Sequence, residues 1–183
     1  MNLEELKKDC SIKQKRGIHF IIASIIIWSM VLIVHLTNLP IVTKNMLTFC
    51  CTAPLMPIAF LISKILKIQF SDKTNPLNNL GILFSINQMI YLLIPMWLLT
   101  AVPDKMLMVF TMIFGAHLLP FSWLYNSKSY MILSILIPII SLIIGLNFAN
   151  YILVIIMIII EIIFSILLII ENKKEFGIRN YNL

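Results

Sequence analysis

Six stretches of the chain are nearly unbroken runs of Ile, Leu, Met, Phe and Val, separated by short polar interruptions. A helix rises ~1.5 Å per residue, so roughly 20 apolar residues match a hydrocarbon core ~30 Å thick. The runs fall at 17–37, 45–63, 80–102, 106–125, 129–146 and 151–170. None is built of ten-residue segments alternating apolar with polar, the mark of a membrane barrel strand. The expected fold is therefore all-α, a polytopic transmembrane bundle of six helices over 17–170. Residues 1–16 precede it as a basic polar segment, and 171–183 follow as a polar tail expected to fray at its end.

The interruptions carry their own signals. Asn2 followed by Glu5 predicts a helix cap, so a short surface helix competes with solvated disorder in the N-terminal segment. The longest connection is 64–79, ending in Asn75-Pro76, a cap followed by proline. The other turns are too short for an extramembrane site, so any chemistry belongs inside the bundle or at its rim. Pro54, Pro57, Pro95, Pro120 and Pro138 interrupt the second to fifth runs. They are expected to kink these helices, with freed carbonyls bonded nearby, and as hinges they could expose carbonyls to an ion.

Composition agrees with the pattern: 60% of residues are hydrophobic and 12% charged, about half the charged share of a soluble domain. The net charge of +6 does not indicate nucleic acid, because the cations sit in connections and tails. With six helices both ends of the chain fall on one side, together with 12 of the 14 Lys and Arg residues. Lys44 and Lys105 take the other side. By the positive-inside rule both termini are cytoplasmic, where the cations also attract anionic headgroups. The first run is too long for a signal-peptide core and is expected to remain as an anchor. Cys10, Cys50 and Cys51 are expected to be structural free thiols.

The N-terminal KDCSIKQKRGIHFIIASIIIW, followed by six hydrophobic segments, resembles a family of small six-span membrane proteins from low-GC Gram-positive bacteria, a domain of unknown function. The resemblance covers most of the chain. It implies a multi-pass protein of the bacterial plasma membrane, and no activity, ligand or catalytic residue.

Chemistry concentrates on Glu161, one acid inside the sixth run. An ionisable group at that depth costs about 2.5–3.5 kcal/mol on insertion scales, so it has a partner or a task. His117 of the fourth run lies at nearly equal depth and is the expected partner, with Ser165 one turn beyond Glu161. Such a set is an ion or proton site, or else a helix-to-helix bond worth about 1 kcal/mol. Asn87 and Gln88, placed one quarter into the third run, either pair with a neighbouring helix, as such amides more often do, or line an inner vestibule. No Cys/His spacing fits a metal, no cofactor motif is present, and no nucleophile accompanies Glu161 and His117.

The leading expectation is binding or permeation of a small solute or ion within the bundle. A non-catalytic subunit or sensor working through helix contacts is the alternative, and a lipid-modifying enzyme ranks last. Six short helices barely enclose a path, so a homodimer with a shared interface is also expected.

Overall fold

A computed structural model describes residues 2–70 and 74–181, with the backbone alone described for 176–181. Lys73 of the cation count and residues 182–183 of the expected tail lie outside these. The described chain is all helical in its regular structure, and six spans are long and apolar enough to cross a membrane. They are Lys15–Leu36, Ile41–Ile65, Leu77–Ala101, Pro103–Leu124, Lys128–Asn147 and Asn150–Glu175. The second, third and fourth begin a turn earlier than the apolar runs suggest. Their opening turns hold polar residues, Thr43 and Lys44, Asn78 and Asn79, Asp104 and Lys105, which extend to the rim while the backbone is already helical.

Helix α1 (Leu3–Lys13) forms rather than disorders. Its capping box is complete: Glu5 N donates to Asn2 Oδ1 at 2.9 Å, and Asn2 N donates to Glu5 Oε2 at 2.8 Å. α1 packs onto the end of the bundle, burying Lys7, Cys10 and Ser11, with Lys7 Nζ 4.7 Å from the Trp123 ring centroid. A short 3₁₀ turn (Lys15–Gly17) reverses the chain into α2 (Ile18–Leu36). Lys15, Arg16 and Gly17 all take positive φ, a costly run for the two residues that carry a Cβ. Two bonds hold it: Tyr130 Oη donates to the Arg16 carbonyl at 2.9 Å, and Asn172 Nδ2 donates to the Lys15 carbonyl at 3.1 Å.

Prolines break the middle spans. The second is α3 (Ile41–Thr52) and α4 (Leu55–Ile65), divided at Pro54. The third is α5 (Leu77–Tyr91) and α6 (Leu93–Ala101), and the fourth is α7 (Pro103–Ala116) and α8 (Leu118–Leu124). The last two breaks fall three residues before Pro95 and Pro120, where a proline ring meets the carbonyl one turn back and supplies no N–H. Pro138 is absorbed within α9 (Lys128–Asn147). α10 (Asn150–Tyr181) runs on well past the expected end of the sixth helix. What holds it just past residue 170 is polar: Glu171 accepts from Ser127 Oγ at 2.6 Å and Ser129 Oγ at 2.7 Å, Asn172 accepts from Arg16 at 2.8 Å, and Glu175 pairs with Arg16.

The core lies where α2 packs on α10 and where the fourth span packs on α9. Trp28, Met106, Ile137, Met157 and Phe164 are buried there. Gly115 permits the second contact, since a Cβ at that position would stand 2.6 Å from Ile137 and Pro138. At the end away from the termini, Lys44 Nζ donates to the His35 carbonyl and Lys105 Nζ to the Gly145 carbonyl, each near the C-terminus of its helix. The third span lies at the periphery: 11% of its most apolar window is buried, against 50% for the first span.

Candidate functional site

Glu161 sits on the face of α10 turned to α2 and is fully buried. Its Oε2 is 2.5 Å from Ser24 Oγ, and that oxygen is 2.7 Å from the Ile21 carbonyl one turn back. A hydroxyl has one hydrogen. The hydrogen of Ser24 is either shared between the two acceptors or given to Ile21 while a protonated carboxyl donates to Ser24. The other carboxyl oxygen, Oε1, has no hydrogen-bond partner among the described residues.

Ser24 faces a cavity of about 280 Å³ enclosed by the first four spans and Tyr130 of the fifth. Its wall is mainly apolar and aromatic, with Phe20, Trp28, Phe110 and Phe114 prominent, and Ser24, Thr52, Ser85, Gln88 and His117 supplying polar groups. Such a lining, apolar with a few placed polar groups, is the usual character of a small-molecule site. Met56 of α4 and Met89 of α5 line it too and are 53% and 68% exposed, so the cavity opens sideways between the second and third spans. Glu161 is not on the wall; it stands behind Ser24.

The expected pair of Glu161 and His117 is not formed. α10 packs on α2 and α9, and it meets the fourth span along α7, on the far side of the break from α8. His117 is the residue at that break, and its Nδ1 bonds to the Phe114 carbonyl. That bond fixes the ring between Phe114 and Phe121, with centroids 5.4 Å and 6.1 Å away. With Nδ1 donating to a carbonyl, the neutral ring presents Nε2 as an acceptor. Equal depth was correct physics for the wrong neighbours: the matching polar group on the adjacent helix is Ser24. The same depth argument applied to the first span leaves Ser24 and Ser29, and the packing of α2 on α10 decides for Ser24.

Asn87 and Gln88 do not share a vestibule. Adjacent helical residues point about 100° apart. Gln88 lines the cavity and Asn87 is exposed on the outside of the bundle. Because the third span starts at Leu77, both lie some 15 Å along it, near its middle rather than one quarter in. Ser165 is 7% exposed and its Oγ has no partner among the described residues; it does not reach Glu161. Among the described residues no three His, Cys, Asp or Glu side chains group as a metal site would require. Arg16, with Glu171, Asn172 and Glu175 of α10 and Tyr130 of α9, is a cluster the sequence reading missed; the signal was the acidic Glu171 and Glu175 four apart, on one face of a continuing helix.

A family model described as a family of unknown function matches residues 3–171. No curated protein and no solved structure matches the chain.

Proposed function

Because the chain belongs to that family of unknown function, DUF7010, we propose its role from its own geometry: it binds a small, mostly apolar molecule inside the membrane. The ligand occupies the cavity between the first four spans, entering from the bilayer between Met56 and Met89. Its apolar body lies against Phe20, Trp28, Phe110 and Phe114, and its polar end meets Gln88, His117 Nε2 and Ser24. Glu161 takes part through Ser24, because its carboxyl is hydrogen-bonded to the serine oxygen and holds that hydroxyl in place on the cavity wall. Binding of this kind is compatible with passage of the ligand. The protein resides in the bacterial plasma membrane, with the ends of the chain and their basic rim in the cytoplasm, facing anionic headgroups.

The observation that carries this reading is the contact at 2.5 Å between a serine on the cavity wall and a fully buried acid behind it. The test uses Trp28 as reporter, with Trp97→Phe and Trp123→Phe removing the other two tryptophans. Titration with 11-bromoundecanoic acid in nanodiscs should quench Trp28 saturably. Ser85→Phe, which fills the cavity, should abolish the saturable part. Quenching that rises linearly with bromolipid content, or that survives Ser85→Phe, would remove the proposal. The outward face of the third span favours a second reading, action through contact with another membrane chain.

A further inference from the structure

We propose that the outward face of the third span is the interface of a homodimer, and that Asn87 pairs with Asn87 of a second copy across it. Leu83, Ile90, Ile94 and Trp97 on this face are 57%, 58%, 47% and 65% exposed, and Asn87 is exposed among them. The positions 83, 87, 90, 94 and 97 are spaced by four, three, four and three residues. That is the spacing of a seam between two helices, carried from α5 onto α6 past the break at Leu92, and unlike the equally exposed stripe 82, 86, 89, 93 and 96 it holds a polar residue. The seam is turned away from the cavity, which takes Ser85, Gln88 and Leu92 from the other side of the same helix.

Asn87 identifies the occupant. It lies 10 residues, about 15 Å, from the start of the span at Leu77 and 14 residues, about 21 Å, from its end at Ala101. Lipid tails offer neither donor nor acceptor at that depth. The side chain makes no hydrogen bond among the described residues. A carboxamide has both a donor and an acceptor, so its simplest complement is another carboxamide. A two-fold axis along the membrane normal sets identical helices parallel and brings the two Asn87 residues to one depth. A different protein would have to present a matching polar group at the same height. The loose attachment of the third span to its own bundle fits a helix completed from outside.

The test is cysteine cross-linking of the full-length protein in liposomes, with Cys10, Cys50 and Cys51 changed to alanine. Mild oxidation should give a covalent dimer with Leu83→Cys, Ile90→Cys or Ile94→Cys, and none with Ser85→Cys, Gln88→Cys or Leu92→Cys. An independent measurement keeps the native cysteines: energy transfer between donor- and acceptor-labelled copies as the lipid is diluted. Asn87→Leu should weaken the dimer about fivefold and Asn87→Gln should leave it within about twofold. A monomer at every dilution, cross-links at the cavity positions, or an unchanged dimer with Asn87→Leu would each overturn the proposal. So would a heteromeric complex isolated in place of the dimer.

Discussion

The first and third spans differ in burial in a way that hydropathy alone does not explain, since the fourth span, at 1.7, is no more apolar than the third and yet 39% buried. The first has mean hydropathy 2.5 and is half buried, whereas the third has 1.8 and is 11% buried. In water the greasier helix goes inside because burial removes apolar surface from solvent. In lipid that drive is missing, and helices associate through close packing and hydrogen bonds. The first span has such contacts: Ser24 meets Glu161, and Trp28 stands edge-on to Phe114 at 5.5 Å. The third span turns its mid-depth Asn87 outward. What assigns a helix to the inside of this bundle is therefore where its polar groups and small residues find partners.

The sharpest way to break that contrast is to spoil close packing in the interior. Gly115→Leu should cost about 3 kcal/mol, because the new side chain enters the space of Ile137 and Pro138. Reversible unfolding in mixed micelles would measure it, and a loss under ~1 kcal/mol would mean that the fourth and fifth spans part easily. Next comes the interior bond. Glu161→Ala should lose about 2 kcal/mol, from a removed hydrogen bond and the gap left behind. Glu161→Gln keeps the shape and an N–H for Ser24, so it should lose less than ~1 kcal/mol. Equal losses in the two variants would show that the Ser24 contact adds nothing to packing. The smallest effect belongs to the third span. Leu83→Ala should leave the unfolding free energy of the monomer within about 0.5 kcal/mol, while reducing energy transfer between copies.

Much of the fold was legible because length and polarity suffice for it. Six runs of the right length announced six helices, and the prolines announced the breaks. Span starts were read late because Lys44, Asn78 and Asp104 look like loop residues, although a first turn at the rim accommodates them. The end of the sixth helix was placed too early for a related reason. A run with Glu171, Asn172 and Glu175 looks solvated until Arg16, Ser127 and Ser129 are known to face it. Within the candidate site, the importance of Glu161 was evident from its depth. Its partner was not, since depth gives height and says nothing about which helices are neighbours. Asn87 and Gln88 were read as a pair because they adjoin in sequence, yet a rotation of ~100° sends one to the cavity and the other outside.

The last helix has one more implication. α10 runs without a break from Asn150 to Tyr181, 32 residues and some 48 Å of helix, while three of the other spans are jointed at prolines. A twist about a third of the way along it, where Glu161 stands behind Ser24 of the cavity wall, cannot be absorbed by a hinge and must travel down the shaft. It would arrive at Asn172 and Glu175, where Arg16 grips the rod, so an event inside the bilayer would be felt as torque at the foot of the molecule. A spin label on the exposed Lys174 would read it as a lever reads a turning axle.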